Sequence, residues 1–216
     1  DAPAQGPHGG STRSGRRHVP VRLQAAAVAL ALASAWYGAG AAEIEGVHFP
    51  DSIELDGRRL ALNGTGLREV YIIKTWVAAL YTNAPAYSAA AVVGDGDRRI
   101  AITLLADLSI DRLGRSLLDA LRRNHEPEQL SAVEPQIQAF VAALQSIGPT
   151  VKGDTLAIDM VQGTTRISFN DMAVGDPIPG PSFRDALLRA FVGDEPVDDN
   201  LRRSLLGLPA PTGPGV

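Results

Sequence analysis

The sequence predicts an α+β domain in which an antiparallel sheet carries its helices on one face. Three observations favour this class: apolar residues alternate with period two over residues 52–105, recur every three or four residues over 109–148, and alternate again from 155. Strands grouped together and followed by grouped helices are typical of the α+β class. The 216 residues contain no internal repeat or linker, so one domain is expected.

The first 41 residues are predicted to be a secretory signal peptide. Four arginines precede the uncharged stretch Leu23–Ala35, and Ala39 and Ala41 form an Ala-x-Ala cleavage site. Cleavage there makes the protein periplasmic or secreted; the alternative is that the apolar segment is kept as a membrane anchor. Removing residues 1–41 takes away four arginines and one aspartate, so the net charge changes from −4 to −7.

The mature domain is predicted to span residues 42–208. The tail, 209–216, is rich in proline and glycine and is expected to be disordered. No later apolar run is long enough to span a bilayer, so no stable membrane span is expected once the signal segment is gone.

The composition excludes several kinds of site. With no cysteine, the chain can form no disulfide, thiolate zinc site, iron–sulfur cluster or cysteine nucleophile. An acidic net charge gives no reason to expect nucleic-acid binding. His48 and His125 lack metal-ligand neighbours at suitable spacing and are expected to be structural, so neither a metal nor a cofactor is predicted.

The first half of the domain is predicted to be mostly strands. Asp56-Gly57 suits a type I′ hairpin between Ser52–Leu55 and Arg58–Leu62. Residues 63–66 contain two glycines and indicate a second turn; because a strand follows them, a phosphate-binding loop is excluded. Three further elements are expected: Leu67–Tyr81 as one long strand or two joined by a bend, Ser88–Val93 as a short helix, and Arg98–Leu105 as a strand.

The second half begins with two predicted amphipathic helices, Ser109–Arg123 and Ser131–Gly148. Thr155–Val161 and Thr165–Phe169 are predicted to pair as a hairpin, and residues 171–180 form a short strand. Two closing helices follow. Ser182 is expected to cap Phe183–Phe191, and Asp198 or Asp199 is expected to cap a helix that ends at Leu206.

Arg68 is the residue that a structural role explains least well. By alternation it shares a strand face with apolar residues, namely Val70, Ile72, Trp76, Ala78 and Leu80. A guanidinium on a buried face is costly unless it meets an opposite charge. Two interpretations follow: a buried ion pair with a carboxylate, or an arginine at the bottom of an apolar cleft that receives an anion.

Residues 46–82 resemble the first half of the chalcone isomerase-like fold, especially its bacterial exported branch. The matching pieces are Gly46-Val47-x-Phe49-Pro50, Leu62-Asn63-Gly64-x-Gly66-x-Arg68 and Lys74-x-x-Val77-Ala78-Ala79-Leu80-Tyr81. Residues 183–207 resemble the terminal helices of the family, so the resemblance covers 44–208. It implies an open-faced β-sandwich: a large antiparallel sheet, a layer of helices on one face, and a ligand cleft between them.

The resemblance also implies roles for individual residues. In the plant isomerases of the family, an arginine holds the substrate oxyanion while a threonine, a tyrosine and an asparagine organise ring closure of a chalcone. Related plastid members bind fatty acids through the same arginine and a tyrosine. Arg68 matches the arginine, and Tyr81 best matches the carboxylate-binding tyrosine. The enzyme's threonine falls near Trp76. Ser182 is expected to supply a hydroxyl group that the family has on its penultimate helix.

The isomerase's tyrosine and asparagine fall near residues 110–111 and 116–117 and are not kept. The resemblance therefore favours a non-catalytic binder of a fatty acid or phenolic anion, with Arg68, Tyr81, Trp76 and Ser182 as ligand-binding residues. The alternative is an isomerase, an intramolecular lyase, that uses Arg68 to stabilise an oxyanion. A third hypothesis is a partner-binding export protein whose cleft is filled by its own side chains.

Overall fold

The computed structural model describes residues 42–209. The predicted signal peptide and all but the first residue of the predicted tail lie outside this range. The strands are β1 Ala42–Ile44, β2 Val47–Phe49, β3 Ser52–Leu55, β4 Arg58–Val70, β5 Ile73–Thr82, β6 Arg98–Leu104, β7 Thr155–Val161, β8 Thr164–Phe169 and β9 Met172–Pro179. The helices are α1 Ala89–Val93, α2 Ile110–Arg123, α3 Pro127–Ala132, α4 Glu134–Gln145, α5 Pro181–Val192 and α6 Asp199–Leu205.

Strands β3 to β9 form one antiparallel sheet in sequence order, while β1 and β2 pair separately. Alternate residues of β5 point to opposite faces: Trp76, Ala78 and Leu80 join the core that contains the helices. Their neighbours Val77, Ala79 and Tyr81 pack instead with apolar side chains from β2, β3 and β4. The helices therefore lie on one face of the sheet, and the predicted α+β class is confirmed.

Two predicted hairpins are confirmed by their backbone angles. At Asp56-Gly57 the φ angles are 50° and 72°, and at Gln162-Gly163 they are 50° and 76°. Positive φ at both central residues is the signature of the type I′ turn, which matches the twist of the two strands it joins. The long apolar run from residue 67 likewise proves to be two strands, β4 and β5, joined by the two-residue loop 71–72.

The turn predicted at residues 63–66 is wrong, because these residues lie inside β4. Their glycines serve a close helix–strand approach. A Cβ on Gly64 would lie 2.7 Å from the carbonyl oxygen of Leu205, and one on Gly66 would lie 2.8 Å from Cδ1 of Leu201. Helix α6 therefore packs directly on the bare backbone of β4.

Two helix predictions also need correction. The helix predicted over Ser131–Gly148 is divided at Val133 into α3 and α4, because Pro135 has no N–H with which to continue one helix through this point. Ser182 caps nothing: α5 begins at Pro181, two residues earlier than a Ser182 cap requires, and the cap position is Gly180 with φ 132°. The other predicted cap is confirmed, since the Asp198 carboxylate accepts a 2.8 Å hydrogen bond from Leu201 N–H.

His48 is exposed on β2, and Nδ1 of His125 lies 2.8 Å from the Leu121 carbonyl at the end of α2. Within residues 42–209, no group of three or more histidine or carboxylate side chains is arranged to hold a metal ion. None of the helices in that range combines the length and the apolar character needed to cross a bilayer.

Candidate functional site

A β-bulge at Asn63 decides which way Arg68 faces. Leu62 pairs with Tyr81 and Gly64 pairs with Leu80, so Asn63 is an extra residue in β4. An extra residue reverses the alternation of side chains beyond it. Before the bulge, Leu60 belongs to the core on the helix-free face; after it, Arg68 stands opposite Trp76 and shares the helix-covered face.

The side chain of Asn63 fastens this bulge to its surroundings. Its amide nitrogen donates to the carbonyls of Ala86 and Leu205 at 2.9 and 2.8 Å, and its oxygen accepts from Ala86 N–H at 2.7 Å. One side chain therefore connects β4 to the loop after β5 and to the end of α6.

A second bulge lies beside Arg68. Arg68 pairs with Trp76 and Glu69 pairs with Lys74, which leaves Thr75 as the extra residue of β5. The Thr75 hydroxyl donates to the Arg68 carbonyl at 2.9 Å, and the Thr75 carbonyl accepts from Leu105 N–H at 2.9 Å. Bulges of this kind re-aim side chains near binding sites.

Arg68 itself is half-buried and has no carboxylate within ion-pair distance among residues 42–209. Its Nη1 donates to the Val197 carbonyl at 2.8 Å, and its Cζ lies 5.9 Å from the centroid of the Trp76 ring, within range of a cation–π interaction. Burial lowers the pKa of Arg68 below its ordinary value; Asp198 opposes this shift and Arg123 adds to it. The guanidinium remains charged because arginine is not deprotonated in proteins.

A cavity of about 200 Å³ opens beside Arg68, between the end of the β4–β5 hairpin, the loop after β6 and helix α2. Its apolar wall is formed by Val70, Ile73, Trp76, Ala106, Leu108 and Leu113. Its polar lining consists of Arg68, Thr75, Asp107, Arg112 and Ser116. Two guanidinium groups against one carboxylate give this lining a net positive charge.

The two hydroxyl groups of the cavity already donate their hydrogen bonds to backbone carbonyls. Ser116 Oγ donates to the Arg112 carbonyl at 3.0 Å, and Thr75 donates to the Arg68 carbonyl. Asp107 accepts a hydrogen bond from Lys152 N–H at 3.0 Å. The two arginines are therefore the groups that can donate to a guest molecule.

A larger groove of about 520 Å³ runs between α4 and β9. Its lining contains Gln136, Ser146 and Asp176 but neither arginine nor lysine. It offers no counter-charge to an anion, so the Arg68 cavity is the better candidate for an anionic ligand.

The structure separates the four predicted ligand residues. Arg68 and Trp76 line the same cavity. Tyr81 is 1% exposed and points to the opposite face of β5, where burial raises its pKa to about 12, with Arg99 lowering it and Asp51 raising it. Ser182 is exposed at the start of α5, beside the β7–β8 turn and so at the other end of the strands. Neither Tyr81 nor Ser182 belongs to the Arg68 cavity, contrary to the predicted grouping.

Sequence reasoning missed Thr75 and Arg112 as lining residues. Thr75 is one residue from Trp76, but only the bulge turns it toward the cavity. Arg112 and Ser116 are four positions apart and so share one side of α2, yet an exposed arginine on an amphipathic helix ordinarily indicates solvent.

Comparisons with known proteins agree with this architecture. The profile of the family described as chalcone isomerase-like matches residues 41–207. Among solved structures, a fatty-acid binding protein from Arabidopsis thaliana superposes with a TM-score of 0.57 and 18% identity, covering 74% of this chain and 92% of the plant chain. A search among curated proteins finds no significant match. Since the family profile spans the whole described sheet together with its helices, this chain belongs to the chalcone isomerase-like family.

Proposed function

We propose that this domain binds a small apolar carboxylate or phenolate in the Arg68 cavity and performs no chemistry on it. The observation that carries the proposal is a half-buried guanidinium that borders an apolar cavity and to which no carboxylate of residues 42–209 is bound. A likeness of fold to a protein named for fatty-acid binding supports the same conclusion.

The electrostatic argument starts from the donors of Arg68. One of its five N–H bonds is directed to the Val197 carbonyl, and no other protein acceptor is bound within the described residues. Desolvation disfavours a charge that lacks a counter-ion, so a carboxylate in the cavity would be stabilised by charge-assisted hydrogen bonds. Arg112, on the facing helix, adds a second positive charge.

The size of the cavity limits what it can enclose. A water molecule occupies about 30 Å³ in the liquid, so 200 Å³ accommodates about six or seven non-hydrogen atoms. The cavity therefore encloses an anionic head group and the first few carbons. The rest of a longer chain would leave over the side chains of Val70 and Ile73, which border the cavity near the end of the hairpin.

The experiment compares native protein with Arg68→Ala and Arg68→Gln by calorimetric titration with hexanoate, decanoate and 4-hydroxycinnamate. Arg166→Ala is the matched control, because Arg166 forms an exposed ion pair with Asp56 away from the cavity. Losing a charge-assisted hydrogen bond should weaken binding about 10- to 100-fold in both Arg68 variants and leave the control unchanged.

Two outcomes contradict the proposal. One is binding of these anions with equal affinity by native protein and both Arg68 variants, or by none of them. The other is cyclisation of a chalcone by the native protein above the buffer rate and its loss in Arg68→Ala, which would establish the isomerase instead.

Export is part of the proposal and has its own test. The apolar segment and Ala-x-Ala site before residue 42 support cleavage by signal peptidase. The intact mass of protein recovered from a bacterial host's periplasm should correspond to a chain that begins at Ala42. A mass that retains residues 1–41 in the membrane fraction would show an anchored protein.

A further inference from the structure

The exposed apolar side chains of the domain gather at one end of the sheet. Seven large hydrophobic residues are exposed among residues 42–209, and six of them are Val70, Tyr71, Ile72, Ile73, Val151 and Met172. Strand pairing places them at the same end, because the strand ends next to them are neighbours in the sheet. From β5 to β9 the pairs at this end are Trp76 with Leu104, Thr103 with Thr155, Leu156 with Phe169, and Phe169 with Met172. The seventh, Tyr87, follows the opposite end of β5. We call these six residues the apolar end.

The apolar end has a protruding apex. Tyr71 is 97% exposed and Ile72 is 93% exposed at the loop that joins the two longest strands, β4 and β5. Tyr71 has φ 57°, a backbone conformation that residues other than glycine adopt at an energetic cost. These side chains do not contribute to the core, so packing does not account for their apolar character.

The apex is convex and small, and this favours lipid over protein as its partner. A stable protein interface buries about 1,200–2,000 Å² of matched surface, which the two protruding residues cannot supply by themselves. A lipid surface accommodates any protruding apolar group, and tyrosine is enriched where membrane proteins meet the head-group layer.

The charges around the apex indicate whether the lipid head groups should be anionic or zwitterionic. Lys74 forms an ion pair with Glu45 at 2.8 Å, and Lys152 follows Val151; these are the only two lysines in the chain. Glu69 and Asp171 lie at the same end, so the charges there are mixed in sign. Attraction to an anionic bilayer is therefore not expected, and the affinity should come from burial of apolar surface.

We propose that the apolar end docks on a zwitterionic lipid surface with Tyr71 and Ile72 inserted. Val70 and Ile73 belong both to the apolar end and to the wall of the Arg68 cavity, so docking brings the opening of the cavity against the lipid. The docking rests on the exposed side chains alone, whereas ligand uptake from the lipid also rests on the proposed function.

The absence of cysteine allows a site-specific test on the full chain. A nitroxide is attached to Ile72→Cys or, as the control at the other end of the sheet, to Tyr87→Cys, and each protein is mixed with phosphatidylcholine vesicles. The label at 72 should become accessible to oxygen and protected from a water-soluble nickel chelate. The label at 87 should stay in water, and neither result should change between 50 and 500 mM salt.

Both labelled proteins carry residues 1–41, so attachment through the apolar N-terminal segment alone would leave both labels equally exposed to water. That result overturns the proposal. It is also overturned if the label at 72 becomes immobile without vesicles as the protein concentration rises, because the apex then pairs with a second copy of the chain.

Two unlabelled variants separate docking from ligand binding. Tyr71→Ser/Ile72→Ser should lower binding to vesicles at least about tenfold, since two apolar side chains no longer enter the lipid, and should leave the affinity for dissolved hexanoate unchanged. Arg68→Ala should weaken the affinity for dissolved hexanoate and leave binding to vesicles unchanged. Vesicle binding that survives the double substitution contradicts docking, whereas failure of native protein to bind hexanoate contradicts only the proposed function.

Discussion

Arg68 stands directly opposite Trp76 in the ladder between β4 and β5, and its guanidinium carbon lies 5.9 Å from the centroid of the indole ring. Trp76 is almost completely buried, so it presents a fixed apolar surface to one side of the cation. The guanidinium is anchored by Val197 on another side and borders the cavity on a third. An arginine held in this way is preorganised for an anion.

Filling the cavity should block the ligand without disturbing Arg68. In Ser116→Leu, a larger side chain on the helical wall occupies part of the 200 Å³, and the guanidinium keeps its bond to Val197. We expect the affinity for decanoate to fall about tenfold or more, measured by calorimetry. Asp119→Leu, at an exposed position of the same helix, should bind as native protein does; equal affinity in both variants would place the ligand elsewhere.

The close packing of α6 on β4 should make Gly64 intolerant of a side chain. In Gly64→Ala the new Cβ would meet the Leu205 backbone at 2.7–2.9 Å, and backbone atoms cannot rotate away. We expect the free energy of unfolding to fall by about 1–3 kcal/mol or more, measured by urea denaturation. Gly148→Ala is the control, because its Cβ would meet nothing within 4 Å.

The bulge at Asn63 should depend on both halves of its side-chain amide. Asn63→Asp keeps an acceptor for Ala86 N–H but loses the two donated bonds to Ala86 and Leu205, and it leaves buried carbonyls facing a carboxylate. We expect a loss of about 2–4 kcal/mol in the free energy of unfolding at pH 7. A loss below 0.5 kcal/mol would show that the bulge is held by the backbone ladder alone.

Burial of Tyr81 should make stability fall at alkaline pH. Its pKa is about 12 in the folded chain against an ordinary value of 10. Between these values the unfolded chain loses the proton and the folded chain keeps it, so the free energy of unfolding decreases by about 1.4 kcal/mol per pH unit. Tyr81→Phe should remove this contribution and also the last step of the tyrosinate absorbance titration near 295 nm. If the free energy of unfolding fell equally steeply with alkaline pH in native protein and in Tyr81→Phe, the raised pKa would not belong to Tyr81.

The apex loop should be more stable with glycine at position 71. Tyr71 has a positive φ that glycine adopts without steric cost, so Tyr71→Gly relieves about 1–2 kcal/mol of strain and loses about 0.5–1 kcal/mol to the added freedom of the unfolded chain. We expect a net gain of about 0.5–1 kcal/mol in thermal or urea unfolding. A clear loss of stability would mean that the tyrosine ring packs against the domain.

The sequence by itself determined the α+β class, most element positions, the hairpins at Asp56-Gly57 and Gln162-Gly163, and the family. These features depend on the period of apolar residues and on local turn chemistry, which neighbouring residues along the chain carry. The prominence of Arg68 also followed from sequence, because a charge within an apolar run needs a reason wherever the run folds.

Only the tertiary structure decided which residues accompany Arg68. The bulges at Asn63 and Thr75 shift the side-chain alternation by one residue, and a shift of one residue exchanges the two faces of a strand. That is why Thr75 lines the cavity. Tyr81 directly follows the helix-facing Leu80 in a regular part of β5, so alternation alone already places it on the other side of the sheet. Gly64 and Gly66 look like a turn until α6 is packed on them, since the helix that requires their bare backbone comes about 140 residues later.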